Sequence, residues 1–214
     1  GNMAMSSRSG SAAVLEALGV PIDLDAKEAS RFLAKNNFVF LFAQKYHPSM
    51  RSVAAVRRKL GRKTIFNLLG PLCNPAHPDC QLIGLFSEDF MEQYMTAIEY
   101  IGIPNAKVVS SKDGLDEISI SGGTTCYYKK GPSVTKFDFD PREFGIYADR
   151  EKIRGYEAGE NAQIMKDVFR GGNHVALTNA IAINAAFSLT LAEVETDLKA
   201  AFVLAKETIK SGKI

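Results

Sequence analysis

The stretch that decides the fold runs from Gln81 to Ser110 and reads QLIGLFSEDFMEQYMTAIEYIGIPNAKVVS. Its first six residues, QLIGLF, form a short apolar run that is typical of a buried strand. Residues Phe90–Ile101 place apolar side chains at intervals of one, three and four, which predicts a helix. The run AKVVS, Ala106–Ser110, predicts a second strand. A strand, a helix and a strand in succession indicate a right-handed crossover between parallel strands.

Beyond this stretch the pattern changes to that of short antiparallel strands. Strand-like runs occupy Ile118–Ser121, Thr124–Tyr128 and Ser133–Phe139, and glycine-containing turns separate them. Helical periodicity returns at Asn173–Ala192 and at Glu193–Lys210. The predicted fold class is therefore α/β, with a mostly parallel central sheet flanked by helices and a small antiparallel β annex.

The first third of the chain is predicted to be mainly helical. Three helices are indicated by apolar residues at helical spacing: Ser11–Leu18, Ala26–Lys35 and Ser49–Leu60. Asp25 is the expected N-cap of the second helix. Phe38–Leu41 is either a buried strand or a short buried helix, because periodicity alone does not decide between them. No internal repeat or long linker divides the chain, so we expect residues 1–214 to form a single domain.

Composition excludes several classes of protein. Hydrophobic residues make up 46% and charged residues 23% of the 214 residues, which is an ordinary globular balance. The net charge of only +2 gives no basis for binding nucleic acid or a membrane surface. The chain has three cysteines, Cys73, Cys80 and Cys126, an odd number that does not pair completely into disulfides. Their spacing is not that of a zinc site, so we expect a reducing, cytoplasmic location. We also expect no secretory signal and no membrane span.

Two segments of the first third could bind anions. Ser6–Ser11, SSRSGS, leads straight into a predicted helix, and its hydroxyls could hold phosphate groups; alternatively it is a polar loop with a serine N-cap. Arg57 projects onto the apolar face of the Ser49–Leu60 helix. A guanidinium directed inward needs an anionic or carbonyl partner, from either the protein or a ligand. His47 precedes this helix and is either a surface residue or part of the same site.

Two further segments have a structural and a functional interpretation. Asp116 and Glu117 follow the AKVVS strand, where α/β folds bind ligands, and adjacent carboxylates suit Mg²⁺ beside a diphosphate. The alternative is a solvated turn. Asn67–Leu72, NLLGPL, is either a structural turn at its Gly-Pro pair or an apolar wall for a flat ligand.

Taken in order, these segments resemble anthranilate phosphoribosyltransferase, an enzyme family of tryptophan biosynthesis. The resemblance covers nearly the whole chain. Its segments are Gly1-Asn2 with SSRSGSA (Ser6–Ala12), VLEALG (Val14–Gly19), YHP (Tyr46–Pro48), VRRKLG (Val56–Gly61), TIFNLLGPL (Thr64–Leu72), NP (Asn74-Pro75) and GLDEIS (Gly114–Ser119). TIFNLLGPL and GLDEIS are the most specific of these in combination.

The resemblance implies ligands for each group of residues. The anthranilate site is expected to include Asn2, His47, Arg57, Gly70 and Pro71. The 5-phosphoribosyl 1-diphosphate site is expected to include Gly1, Asn2, Ser6, Ser7 and Ser11. Asp116 and Glu117 are expected to bind Mg²⁺. The implied reaction is displacement of diphosphate by the anthranilate amine, which needs no covalent catalytic residue. A nucleoside phosphorylase of related fold and a non-catalytic ligand-binding relative remain the alternatives.

Three departures from the family pattern affect the expectation. Met3 stands where the family usually has arginine. The glycine-rich diphosphate loop GTGGD does not occur in the sequence, and neither does the small helical domain through which the family forms dimers. We therefore expect a fragment of the catalytic domain that is inactive alone, and an intact protein that is a homodimer through that helical domain.

Overall fold

A computed structural model of the chain describes residues 9–61 and 64–214, apart from the side chains at positions 51, 54, 55, 57 and 58. The described residues fall into two compact units. The first unit contains the described residues up to Pro75 together with Gly155–Lys166, and the second contains Ala76–Arg154 and Asp167–Ile214. That residues 1–214 form a single domain stays a prediction.

The described residues form helices and a single sheet, and the bounds of each helix and strand are as follows. The helices are α1 (Ser11–Ala17), α2 (Ala26–Asn36), α3 (Ala43–Tyr46), α4 (Arg51–Leu60), α5 (Phe66–Leu72), α6 (Met91–Ile101), α7 (Ala158–Phe169), α8 (Val175–Leu191) and α9 (Leu198–Lys210). The strands are β1 (Cys80–Gly84), β2 (Asn105–Ser111), β3 (Thr124–Lys130) and β4 (Ser133–Phe139).

Helix α2 shows how local sequence determines an element of the first unit. The Asp25 carboxylate accepts a hydrogen bond from the Glu28 N–H at 2.9 Å, and the Glu28 carboxylate accepts one from the Asp25 N–H at 2.8 Å. This reciprocal capping box satisfies two backbone donors that the first helical turn leaves unpaired. The helix ends at Asn37, which adopts a left-handed conformation with φ of 54°. The predicted N-cap at Asp25 is confirmed.

Other predictions for the first unit differ from the structure. Phe38–Leu41 forms neither a strand nor a helix, and Phe38 is 47% exposed, so this apolar run is not a buried element. The third predicted helix starts later, at Arg51, because Pro48–Met50 form a 3-10 turn. The NLLGPL segment lies within α5 rather than in a turn, and the Gly-Pro pair occupies the end of that helix.

The sheet of the second unit is mixed. Its strand order is β1-β2-β3-β4; β1 and β2 are parallel, and α6 connects them. β3 is antiparallel to both β2 and β4. The α/β class and the parallel pair are thus confirmed, whereas the sheet is not mostly parallel among the described strands. The predicted annex continues the same sheet, because β3 pairs along the whole edge of β2.

The core of the second unit is formed by the sheet with helices α6 and α8, and α9 packs against α8. Phe187 of α8 is fully buried, and its ring meets that of Phe139 edge-on at a centroid distance of 5.6 Å. Ile83 and Val108 of neighbouring strands are also at most 1% exposed. Each such side chain contributes about 1.5–3 kcal/mol on burial. In the described parts of the chain, no helix has the length and apolar character needed to cross a bilayer.

Candidate functional site

The candidate site of the second unit is the acidic loop, residues 111–124, which joins β2 to β3. The Ser111 hydroxyl donates to the Glu117 carbonyl at 2.5 Å and lies 2.6 Å from the Thr124 hydroxyl. Both hydroxyl oxygens accept from the Ser119 N–H, each at 3.2 Å. The two ends of the loop are therefore tied together by side chains that are almost completely buried.

Asp113 organises the interior of the acidic loop. Its carboxylate accepts hydrogen bonds from the hydroxyls of Ser119, at 2.6 Å, and Ser121, at 2.5 Å. The Leu115 N–H also donates to it, at 3.3 Å, and Arg150 donates to the Asp113 carbonyl at 2.8 Å. This pattern explains why Ile118–Ser121 is not a strand: its alternate serines bind Asp113 instead of facing solvent.

The carboxyl of Asp113 is held in its charged form. Burial alone would raise its pKa, but the hydrogen bonds from Ser119, Ser121 and the Leu115 N–H, with the charge of Arg150, lower the pKa below 3.8. A depressed folded-state pKa stabilises the folded state fully above the unfolded value. This stabilisation is lost as the pH falls through the lower, folded-state pKa. Asp113 is thus a structural acid that holds the loop at neutral pH.

Gly84 allows the acidic loop to lie directly against the end of β1. A Cβ atom added at Gly84 would overlap the carbonyl oxygen and carbonyl carbon of Asp116. Only glycine permits so close an approach between the two backbones. The backbone of Asp116 is consequently positioned by direct contact with the last residue of a strand.

Asn184, on α8, fixes the other side of the acidic residues. Its side-chain oxygen accepts from the Ile118 N–H at 3.0 Å, and its side-chain amide donates to the Ile118 carbonyl at 2.9 Å. The same amide also donates to the Ala180 carbonyl one helical turn earlier. One side chain therefore satisfies both backbone groups of the residue that follows Glu117.

We expect Asn184→Leu to loosen the acidic loop. The change keeps the side-chain volume but leaves the partly buried N–H and carbonyl of Ile118 unpaired, which costs about 1–3 kcal/mol. Urea denaturation measures the loss, and hydrogen exchange at the Ile118 amide should become faster. Ser188→Ala is the control, because Ser188 is exposed on the same helix and its hydroxyl donates to the Asn184 carbonyl. It should change stability by less than about 0.5 kcal/mol. Equal stability of both variants would contradict the role of Asn184.

Asp116 and Glu117 are two adjacent, exposed acidic residues on this fixed backbone. Among the described residues neither carboxylate forms a salt bridge. Although part of Glu117 is exposed, protein atoms crowd its carboxylate, and this desolvation together with the negative charge of Asp116 raises the pKa of Glu117. A cation at this position would relieve the repulsion between the two groups.

The carboxylate pair suits a hard divalent ion whose remaining ligands come from elsewhere. In the described parts of the chain, no group of three His, Cys, Asp or Glu side chains is placed to hold a metal ion. Mg²⁺, however, keeps several waters and commonly binds one or two carboxylates plus substrate phosphates. The donor set of Asp116 and Glu117 therefore fits Mg²⁺ beside a phosphorylated ligand better than a closed, all-protein site.

The serine-rich segment of the first unit is fixed where it enters α1. The Ser9 hydroxyl donates to the Tyr156 carbonyl at 2.9 Å, and the Asn161 amide donates to the Ser9 oxygen at 2.8 Å. Asn161 also accepts from the Tyr156 N–H at 2.9 Å. Ser11 is the exposed first residue of α1. Gly1, Asn2, Ser6 and Ser7 lie outside the described residues.

The residues predicted to contact anthranilate are at different places in the first unit. His47 is half-buried and ends α3, where its N–H donates to the Ala43 carbonyl at 2.9 Å. Arg57 lies in α4, and its side chain is outside the description. Gly70 and Pro71 lie in the last turns of α5, where a Cβ on Gly70 would meet no atom within 4 Å. Gly70 thus borders open space.

Three residues important for the acidic loop were not predicted from the sequence. Gly84 interrupts the apolar run QLIGLF, and an isolated glycine in a strand is a known signal of close backbone approach. Asn184 is a polar residue within an apolar helical run, which is a weaker signal. Asp113 precedes a glycine and therefore has the sequence of an ordinary turn, so its interior hydrogen bonds leave no local signal.

Comparison with known proteins agrees with the predicted resemblance. A family described as "Glycosyl transferase family, a/b domain" matches residues 1–214. The curated anthranilate phosphoribosyltransferase of Idiomarina loihiensis is 39% identical over 214 residues, covering 100% of this chain and 63% of the relative. The anthranilate phosphoribosyltransferase of Lacticaseibacillus casei is 40% identical, and the match covers 100% of this chain and 62% of the relative. The chain thus spans 62–63% of the length of these relatives.

Solved structures lead to the same family. Anthranilate phosphoribosyltransferase from Thermus thermophilus superposes with a TM-score of 0.88 at 36% identity, covering 99% of this chain and 63% of that one. The Saccharomyces cerevisiae enzyme in complex with PRPP and Mg superposes with a TM-score of 0.87 at 27% identity. The match covers 99% of this chain and 60% of that one. The complex of the yeast enzyme with 4-fluoroanthranilate superposes with a TM-score of 0.85 at 29% identity, and the match covers 95% of this chain and 59% of that one. These relatives give no support to the nucleoside phosphorylase alternative.

Proposed function

Because the chain belongs to the glycosyl transferase family, whose a/b domain matches residues 1–214, we propose that it supplies the a/b domain of an anthranilate phosphoribosyltransferase. The proposed reaction transfers the phosphoribosyl group of 5-phosphoribosyl 1-diphosphate to anthranilate, giving N-(5-phosphoribosyl)anthranilate and diphosphate. The observation that carries the proposal is the pair of acidic residues on the acidic loop, Asp116 and Glu117, which form no salt bridge with any residue that the structure describes. The relatives' names support the choice of substrates.

Asp116 and Glu117 are the proposed Mg²⁺ ligands. Their backbone is fixed by Gly84 on one side and by Asn184 on the other, so the two carboxylates start from a preorganised position. When bound, Mg²⁺ would offset the negative charge of the diphosphate and make it a better leaving group. The presence of Mg with PRPP in the yeast relative supports this assignment.

The serine-rich segment is the proposed site for the phosphates of the donor. We assign this role to Gly1, Asn2, Ser6, Ser7 and Ser11. Ser9 is not among them, because its hydroxyl already donates to Tyr156 and accepts from Asn161. Hydroxyl and backbone N–H donors stabilise phosphate oxygens without adding charge.

Arg57 is the proposed partner of the anthranilate carboxylate, with Asn2 and His47 beside the ring and Gly70 and Pro71 in the wall. A planar guanidinium can donate two parallel hydrogen bonds to a carboxylate. The open space at Gly70 is compatible with a flat ligand passing that residue.

The chemistry requires positioning rather than a covalent nucleophile. The anthranilate nitrogen forms a bond to C1 of the ribose, the bond from C1 to the diphosphate oxygen breaks, and the nitrogen loses a proton. We assign no side chain as a catalytic residue. Cys126 is no nucleophile, since burial raises the pKa of its thiol to about 12 and keeps it protonated at neutral pH. We further propose that the intact enzyme is a cytoplasmic homodimer with no nucleic-acid partner.

Arg57→Ala tests the anthranilate site and with it the proposed function. Loss of a charge-assisted hydrogen bond should weaken anthranilate binding by about 1–3 kcal/mol, or roughly 5- to 150-fold, while donor affinity changes little. The measurement follows anthranilate fluorescence with PRPP and Mg²⁺, in a form of the protein that extends to the full length of its relatives. Arg58→Ala, the neighbouring arginine of α4, is the matched control and should bind anthranilate within about twofold of wild type.

Two results would contradict the proposal. Equal losses for both substrates in Arg57→Ala would indicate a structural arginine. Failure of the unmodified full-length protein to consume anthranilate in the presence of PRPP and Mg²⁺ would refute the activity itself.

A further inference from the structure

Lys107, on β2, is a buried lysine that the proposed reaction does not use. It is 5% exposed, and its ammonium lies at the C-terminal end of α8. There it donates to the Thr190 hydroxyl at 2.5 Å and to the Phe187 carbonyl at 3.2 Å. An ammonium has three N–H donors, so these two bonds leave one donor for a further partner.

The positive charge of Lys107 has no counter-charge among the described residues. Its neighbours are the ring faces of Tyr128 and Phe187, with centroids 5.0 and 5.3 Å from Nζ. The nearby carboxylate of Glu193 forms its ion pair with Lys130 instead. The neighbouring thiol of Cys126 stays neutral because burial raises its pKa to about 12. Burial in turn lowers the pKa of Lys107, so the charged form lacks the stabilisation that an anion would provide.

A cleft of about 380 Å³ reaches this ammonium from the surface. That volume lies within the range of about 300–1,000 Å³ found for small-molecule sites. Its lining combines aromatic and aliphatic side chains with polar and charged ones. The first group is Tyr128, Phe137, Phe187 and Leu198, and the second includes Lys130, Thr196 and the carboxylate of Glu193.

The cleft is separate from the acidic loop. Lys130, at its rim, is opposite Asn105 at the first residue of β2, whereas the acidic loop begins at Ser111, the last residue of that strand. Ligands at the two places would therefore bind at opposite ends of β2.

We infer that this cleft binds a small aromatic carboxylate. The carboxylate accepts the third N–H of Lys107, while the ring packs between Tyr128 and Phe137. An aromatic ligand fits better than an aliphatic one, because ring–ring contacts add to the burial of apolar area. The bound anion supplies the counter-charge that the protein does not provide.

Benzoate is the probe, and its uncharged analogue benzamide is the matched comparison. Binding to the 214-residue chain is followed by NMR, from the ring signals of Tyr128 and the Cε–Hε signal of Lys107. Benzoate should bind at least about tenfold more tightly than benzamide, the effect expected for one charge-assisted hydrogen bond. Equal binding of the two compounds would overturn the role of the ammonium. So would absence of benzoate binding at about 10 mM, where millimolar sites saturate.

Lys107→Met should weaken benzoate binding at least about tenfold. Lys129→Met is the matched control: Lys129 is a buried lysine of β3 that donates to the Gly131 carbonyl, and its side chain alternates to the face opposite Tyr128. Arg57→Ala should leave the benzoate-induced shift of the Tyr128 ring signals unchanged, which separates the cleft from the proposed anthranilate site. An unchanged Tyr128 shift in Lys107→Met, or loss of that shift in Arg57→Ala, would refute the inference. If Lys107→Met does not fold, the test is the Cε–Hε signal of Lys107 in the wild-type chain: a shift on adding benzoate supports the inference, and no shift refutes it.

Discussion

Gly84→Val is expected to disrupt the second unit and to lose the native acidic loop. Even one added carbon overlaps the carbonyl group of Asp116, and valine adds two more. Neither backbone can yield cheaply, because Gly84 lies in β1 and Asp116 belongs to a loop tied at both ends. Overpacking of a core costs about 1–3 kcal/mol, and a clash between two backbones should cost at least the upper part of that range. Thermal and urea unfolding measure the loss.

Gly159→Ala is the control for the glycine substitution. Gly159 lies in α7, and a Cβ there would meet no atom within 4 Å. Alanine should leave stability unchanged or raise it by up to about 1 kcal/mol, since glycine is the weaker helix former. If Gly84→Val unfolded at the same temperature and urea concentration as this control, the close approach of β1 and the acidic loop would not exist in solution.

Asp116→Asn combined with Glu117→Gln is expected to abolish the Mg²⁺ dependence of donor binding. The two amides keep the size of the carboxylates but remove both negative charges. Removing partners that merely support metal ligands costs about 10–100-fold in affinity, so loss of both proposed ligands should exceed about 100-fold. Calorimetric titration of PRPP with and without Mg²⁺ provides the measurement. Circular dichroism should show an unchanged fold, because both side chains are exposed.

Glu88→Gln combined with Asp89→Asn is the matched control for that pair. These are also adjacent acidic residues of the second unit, in a 3-10 turn before α6, and the substitutions change the charge by the same amount. Donor binding by this control should keep its Mg²⁺ dependence. A titration in which the Asp116 and Glu117 double variant still responded to Mg²⁺ as wild type does would exclude the metal assignment.

Elements specified by nearby residues were predicted from the sequence. The start of α2 depends on Asp25 and Glu28, three positions apart, and such a cap is visible in the sequence. The secondary-structure predictions failed where residues distant in the sequence determine the local structure. Ile118–Ser121 has the alternation of a strand, but its serines bind Asp113. Phe38–Leu41 is apolar, yet it is not covered as a core strand would be.

The candidate site shows the same division. Asp116 and Glu117 were identified from their residue type and their position after a strand, which is local information. The contacts that hold them come from Gly84 and Asn184, which are at least 32 and 67 positions away from them along the chain. Spacing cannot reveal such pairs, because they depend on how β1, the loop and α8 pack together. Sequence reasoning therefore predicted the proposed metal ligands and missed the residues that position them.

The bond between Asn184 and Ile118 also bears on how the protein is synthesised. The two residues are 66 positions apart, so the ribosome makes the acidic residues long before their support. At about 5–20 residues per second this interval lasts roughly 3–13 s. During that time the nascent loop lacks its anchor from α8, and only contacts within the loop are available to it. Its carboxylates can adopt their final arrangement only after Asn184 has emerged, so the proposed metal site is completed late in translation rather than with the strand that precedes it.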